Sequence, residues 1–272
     1  MTSTTGPLGK PTSYPERYDA DLLYTVERAP QRETLGIGDS LPFRGDDRWT
    51  AWEVAWLSAA GQPQVAIARF SVPCTSPRLV ESKSVKLWIA SFYNERFDDA
   101  ARLSATMTRD LSQATGASVD VELVLPEDWA RLSRDEPSGV VIDDESSGSF
   151  ADFPDRSSLR TKNETVEETL VSRTFRSVCP VTAQPDYATI AIRYAGPTID
   201  RAGLAAYLTG FRKHPGFHEH CVEQIFVDLM RHVKPARLAV EARFTRRGGI
   251  DINPFRTSDA SFVADDRPTL RQ

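Results

Sequence analysis

The amino-acid sequence predicts an α+β protein built from two β-β-α-α-β units in tandem. Three observations predict it. Apolar residues alternate in paired segments joined by short Gly- or Pro-containing turns, two helix-period stretches follow each pair, and one more alternating segment closes each unit. The order then recurs along the chain, which points to duplication.

Residues 1–45 begin rich in Pro, Thr, Ser and Gly and read as an arm laid on the surface. The first module is expected over 46–126. In RWTAWEVAWLSAAGQPQVAIARF, Trp52, Val54 and Trp56 alternate, a turn containing Gly61 follows, and Val65 and Ile67 alternate in turn. In SVKLWIASF, Val85, Trp88, Ile89 and Phe92 recur at helical spacing, with Ser82 or Ser84 as the N-cap. DDAARLSATMTRDLSQATG is a second helix with an acidic start, and SVDVELVL alternates as a strand. Residues 127–168, which hold DDESSGS and little apolar periodicity, read as a polar covering linker.

The second module is expected over 169–272. ETLVSRTFRSVCPVT and YATIAIRYAG form its strand pair, and RAGLAAYLTGFRKH its first helix. FHEHCVEQIFVDLMRHV follows with Val222, Ile225, Phe226, Leu229 and Val233 on one face. ARLAVEARFT closes as a strand, Leu238, Val240, Ala242 and Phe244 alternating.

At 272 residues, 40% hydrophobic and 26% charged, the composition is that of a soluble globular chain. No apolar run approaches the ~18 residues of a membrane span, and the first twenty residues lack a secretory h-region. Three cysteines argue for a reducing cytoplasm rather than a disulfide framework. Net charge −5 weighs against a sequence-independent grip on nucleic acid.

Four stretches could carry chemistry. In SVCPVTAQPDYA, Cys179 and Asp186 could approach across a turn, the acid handling a proton for an atom attacked by sulfur. The local pattern by itself favours a core cysteine beside a turn aspartate. In FHEHCVE, His218 and Glu219 open an amphipathic helix, where a carboxylate could accept paired N–H donors from a guanine-like edge or simply offset the helix dipole. His214, His218, His220, Cys221 and Cys179 also allow a metal reading, weakened because residues two apart on a helix diverge and Pro215–Gly216 interrupts the run. In ESKSVK, two lysines and two serines at a helix start could grip phosphate or be a capped, solvated entrance. In FTRRGGIDINPF, Arg246, Arg247 and a Gly-Gly pair allow close backbone approach and phosphate pairing, or form a basic strand end with a turn. No G-x-G-x-x-G follows a strand, so no Rossmann site is expected.

Taken together and in this order, ESKSVKLW, SVCPVTAQPDYA, FHEHCVEQIF and FTRRGGIDINPFRT resemble the NADPH-dependent 7-cyano-7-deazaguanine reductases, the nitrile reductases of queuosine biosynthesis, in their long two-module form. The resemblance runs from about Tyr18 onward. It implies tandem tunnelling-fold modules, each an antiparallel β-sheet backed by two helices. It implies reduction of the nitrile to 7-aminomethyl-7-deazaguanine with two NADPH per turnover, through a cysteine thioimide, by a cytoplasmic homodimer with no metal, no membrane and no direct nucleic-acid partner. By the same resemblance Cys179 is the nucleophile, Asp186 the proton donor and His218 an aid to proton handling. Val80, Glu81, Ser82, His218 and Glu219 would bind the deazapurine, and Ser82, Lys83, Arg247 and Gly248 would contact NADPH. ESKS lies only in the first module, and Cys179 and His218–Glu219 only in the second, so neither module carries the whole set. Two other readings remain: a zinc-dependent cyclohydrolase of the same fold group using Cys179, His218 and Cys221, and a non-catalytic module binding guanine-like bases or RNA through Glu219 and the RRGG segment.

Overall fold

A computed structural model describes residues 15–145 and 151–272. The first fourteen residues of the expected arm, and residues 146–149 of DDESSGS, lie outside the described residues. The chain forms two compact units, each assembled from separated segments. Unit one takes the described part of Met1–Gln31 together with Asp47–Leu132 and Arg246–Ile252. Unit two takes Arg32–Asp46, Ser133–Thr245 and Asn253–Gln272. Contacts return short stretches to each unit after long excursions along the chain.

Unit one contains β1 (Thr25–Glu27), the first residues of a short helix α1 (Ala29–Thr34), most of β2 (Arg44–Ser58), and β3 (Pro63–Pro73). β2 and β3 are sheet neighbours joined by a short turn, and so short a connection makes them antiparallel. β4 (Arg78–Val80) pairs antiparallel with β1. Helix α2 (Ser82–Ala90), β5 (Arg96–Phe97), helix α3 (Ala100–Thr115) and β6 (Val121–Val124) follow, β6 pairing antiparallel with β3 and β5 parallel with the end of β2.

The expected hairpin is present, and burial ranks the faces of its strands. Trp49, Ala51, Val54 and Trp56 are buried on β2, while Trp52 and Glu53 both turn outward, so the inward face shifts by one residue there. On β3, Ala66, Ala68, Phe70 and Val72 join the core between the sheet and the helices, and Ile67 is buried on the opposite face. Alternation marks two faces without ranking them. Here the small alanines leave room for Trp49 and Phe70 to stack at 5.5 Å.

Val85, Trp88 and Ile89 on α2, and Phe92 just beyond it, are buried as their spacing predicts. They join Leu103, Met107 and Leu111 of α3 in one core, where a fully buried side chain of this size contributes about 1.5–3 kcal/mol. The cap is Glu81, not Ser82 or Ser84. Its carboxylate accepts from the amides of Lys83 (2.9 Å) and Ser84 (2.8 Å), and Ser84 Oγ donates back to the Glu81 carbonyl. A carboxylate spans two orphan amides where a hydroxyl reaches one.

Unit two contains β7 (Val140–Val141), β8 (Thr161–Val178), β9 (Pro185–Ile199), β10 (Arg237–Phe244) and the Asn253–Thr257 part of β11 (Ile250–Thr257), ordered β11-β10-β9-β8-β7. All these pairings are antiparallel except β7 with β8. The stretch expected as linker therefore contains β7 and the start of β8. Helix α4 (Arg201–Thr209) gives way to a 3₁₀ turn at Gly210–Lys213 instead of running on to His214. Helix α5 (His218–His232) buries Val222, Ile225, Phe226 and Leu229 and packs on β10. Both units are thus α+β with antiparallel pairing dominant. Among the described residues no helix is long and apolar enough to cross a membrane.

A buried ion cluster ties α5 to the Arg32–Asp46 segment. Glu223 takes both Arg32 (Oε1 to Nη2 2.7 Å, Oε2 to Nε 2.9 Å) and Arg256 (Oε1 to Nη2 2.8 Å and Nε 3.0 Å). Both guanidinium groups lie over the Phe43 ring, which in turn meets Phe226 edge-on.

Candidate active site

In unit two the geometry starts from the β8–β9 hairpin. Ser177 faces Asp186 and Val178 faces Pro185. The Cys179 amide donates to the Gln184 carbonyl (2.9 Å), and the Ala183 amide to the Cys179 carbonyl (3.0 Å). Cys179 thus opens a tight turn that takes Ala183 into the left-handed region at φ 56°. Residues two apart on a strand share a face. Cys179 follows β8 directly, two residues after Ser177, which stands opposite Asp186. Cys179 and Asp186 are each only 6% exposed.

The same hairpin end fixes the entrance of α5. The Val178 amide donates to His214 O (3.0 Å), and the Gly216 amide to Val178 O (3.1 Å), so the two residues before α5's cap lie against Val178, the last residue of β8 and the neighbour of Cys179. Phe217 caps α5 without a side-chain acceptor, leaving the positive helix end to the acidic first-turn residue Glu219, which is buried. His218 Nε2 lies 3.4 Å from Asp186 Oδ2, and its ring stacks flat on Phe244 with centroids 3.7 Å apart and planes at 4°. His218 Nδ1 is buried with no hydrogen-bond partner among the described residues. The structure therefore gathers Cys179, Asp186, His218 and Glu219 around one hairpin end and one helix start.

Burial also acts on His214, His220 and Cys221. Burial lowers the pKa of His214 and of His220, favouring neutral rings. Burial pushes the Cys221 thiol up to about 12, an environment that resists the thiolate a zinc ligand must become. Among the described residues no group of three or more His, Cys, Asp or Glu is arranged to hold a metal ion.

In unit one, two motifs some 160 residues apart in sequence meet. Gly248 (φ 64°) and Gly249 (φ 84°) form the centre of a tight turn closed by the Arg247 amide on the Ile250 carbonyl at 2.9 Å, and two successive positive φ values are what glycine permits. A Cβ on Gly248 would stand 2.9 Å from Lys86 Nζ, so the second lysine of ESKSVK lies directly on this turn. The Trp52 amide donates to Gly249 O (2.9 Å), its indole N–H to Asp251, and Arg246 covers its ring at 4.1 Å. A cavity of about 250 Å³ opens beside the turn, lined by Glu53, Lys86, Tyr93, Gly248, Gly249 and Ile250 among others. Ser82 and Lys83 occupy the first turn of α2, half-buried, after Val80 at the end of β4 and Glu81 at the cap.

Sequence reasoning missed Trp52 and Phe244, both read only as alternating strand residues. For Trp52 the signal was available: a tryptophan followed by glutamate at the point where the inward face slips.

Comparison with known proteins supplies the family. Residues 14–123 match the family model described as nitrile reductase, 7-cyano-7-deazaguanine-reductase N-term, and residues 185–261 the model described as QueF-like protein. The chain is 51% identical over 276 residues to the NADPH-dependent 7-cyano-7-deazaguanine reductase of Burkholderia cenocepacia (strain HI2424), with all of both chains covered. It is 50% identical over 274 residues to the enzyme of that name from Burkholderia ambifaria (strain MC40-6), and 49% over 274 residues to that from Burkholderia multivorans (strain ATCC 17616 / 249), again with full coverage of both chains. With half of all positions shared across the whole length, and both family models matched in order, the chain belongs to the NADPH-dependent 7-cyano-7-deazaguanine reductases.

Proposed function

We propose that this protein reduces the nitrile of 7-cyano-7-deazaguanine to the aminomethyl group with two NADPH, by way of a thioimide on Cys179. The observation that supports the reading is the pairing of Asp186 with Ser177, two residues before Cys179, together with His218 Nε2 at 3.4 Å from Asp186 Oδ2. A nitrile carbon is a modest electrophile, and addition of sulfur makes it a better one. Cys179 gives up its proton to the Asp186–His218 pair, and its sulfur bonds to the nitrile carbon. The nitrogen takes a proton from the pair, so a C≡N bond becomes C=N with no net change in protons. NADPH supplies hydride to that carbon. The C–S bond then breaks, Cys179 leaves as thiolate and an imine remains. A second hydride and a proton convert the imine to the amine. Burial of Cys179 and Asp186 keeps water from the imine between the two reductions.

Glu219 accepts the N–H donors of the deazapurine, and the start of α2 at Val80, Glu81 and Ser82 contributes to the same recognition. Glu81, committed to two amides of α2, acts mainly by shaping that start. Ser82, Lys83, Arg247 and Gly248 hold NADPH, with Lys86 added from its place on the Gly248 turn. The positive charge and the open backbone of that turn fit a phosphorylated cofactor. Each module is a tunnelling-fold unit, the first over 46–126 and the second over 169–272, and the protein works as a cytoplasmic homodimer on a small molecule without touching nucleic acid.

Intact mass spectrometry with 7-cyano-7-deazaguanine and no NADPH tests the reading, beside Cys179→Ala. A mass gain equal to the whole nitrile, absent in the variant and lost on adding NADPH, is the expected result. A folded protein in excess substrate that shows no adduct would overturn the thioimide.

A further inference from the structure

We infer that Gln272 is a positioning residue for His218, acting through the backbone of Phe244. The inference rests on the proposal that His218 handles the proton. A flat stack at 3.7 Å fixes the plane of the imidazole, so the direction of His218 Nε2 depends on where Phe244 is held. Phe244 is the last residue of β10, opposite Ala188 on β9. On the β9 side the hydrogen bond is made by its neighbour: the Thr245 amide donates to Tyr187 O at 2.8 Å. In an antiparallel strand, successive residues send their backbone groups to opposite sides, so the N–H and C=O of Phe244 point toward β11. β10 pairs with β11 at Ala239–Thr257, Val240–Arg256 and Glu241–Phe255, nearer the start of β10.

Two side chains meet these groups. The Phe244 amide donates to Asn253 Oδ1 (3.2 Å), and Gln272 Nε2 donates to the Phe244 carbonyl (3.0 Å) and to Asn253 Oδ1 (2.7 Å). Gln272 is itself locked. It is 3% exposed, and its Oε1 accepts from the Thr269 amide at 2.9 Å. Reversing the amide would set its oxygen against two acceptor oxygens, so only one orientation satisfies the cluster. Gln272 thus completes the hydrogen bonds of the residue on which His218 lies.

Gln272→Met in the full chain tests this, because it keeps length and bulk while removing both N–H donors. The first readout is the proton spectrum of the His218 imidazole, whose ring protons the Phe244 ring current shifts upfield. The shift should shrink in the variant. The second is steady-state kinetics: kcat should fall about tenfold, with KM for the nitrile within about twofold, because alignment rather than binding is disturbed. An unchanged His218 shift would overturn the inference, whatever happens to stability. The spectrum requires no turnover, so it decides the point even if the reductase reading fails. Should Gln272→Met not fold, Gln272→Glu, which keeps the acceptor for Thr269 and loses the donors, is judged by the same shift.

Discussion

Glu223→Gln is the substitution whose energetic effect the structure defines most directly. Glu223 is 3% exposed and sits between Arg32 at 8% and Arg256 at 0%, accepting four charge-assisted hydrogen bonds of 2.7–3.0 Å. Glutamine preserves the volume and removes the charge. It also turns an N–H₂ group toward one guanidinium or the other. Breaking a buried ion pair from one side costs about 3–5 kcal/mol, because the remaining charge has already lost its water. Part of that cost is orphaning, so the experiment measures the penalty of removing one partner rather than the net worth of the cluster. The assay is urea unfolding followed by far-ultraviolet circular dichroism, which reads the whole chain. Tryptophan fluorescence reads unit one, since all five tryptophans lie within Asp47–Leu132. The far-ultraviolet transition should move to markedly lower urea. Asp152→Ala, which breaks a pair with Lys213 at 68% and 67% side-chain exposure, should leave it in place. A loss below about 1 kcal/mol for Glu223→Gln, the range of a surface pair, would refute the reasoning.

Glu81→Ala removes the acceptor for two amides at the start of α2 and should cost about 1 kcal/mol, read by the same unfolding assay. It should also raise KM for NADPH as the first turn carrying Ser82 and Lys83 loosens; an unchanged KM would detach that turn from the cofactor. Burial raises the Cys221 thiol from 9.0 to about 12, so between those values the folded chain keeps a proton that the unfolded chain has released. Its contribution to stability is therefore full below about pH 9 and fades as pH rises toward 12. A disulfide reagent at pH 8 should leave Cys221 unmodified until denaturant is added; rapid labelling of native protein at Cys221 would contradict the burial.

Local chemistry along the chain determined much of this protein. The helical spacing of Val85, Trp88, Ile89 and Phe92, and of Val222, Ile225, Phe226 and Leu229, specified two helices with their buried faces, because a 3.6-residue period can be met in one way. The hairpin around Cys179 was legible from two alternating runs and a short Pro-containing turn. Four ordered motifs sufficed for the family. Other features lay beyond local pattern. Two-residue alternation gives two faces of equal standing, so the inward turn of Ala66 and Ala68 and the outward turn of Trp52 were settled by what packs opposite. β11 was hidden by Pro254 and Asp251, residues that argue against a strand until neighbours bury them. The cap at Glu81 was hidden by two nearby serines. Lys86 against Gly248, His218 on Phe244 and Gln272 beneath Phe244 join positions 26 to more than 160 residues apart. Sequence supplies such side chains, but only the closing of the tertiary structure brings them together, since each contact is stabilised by a surface that does not exist until the chain has folded.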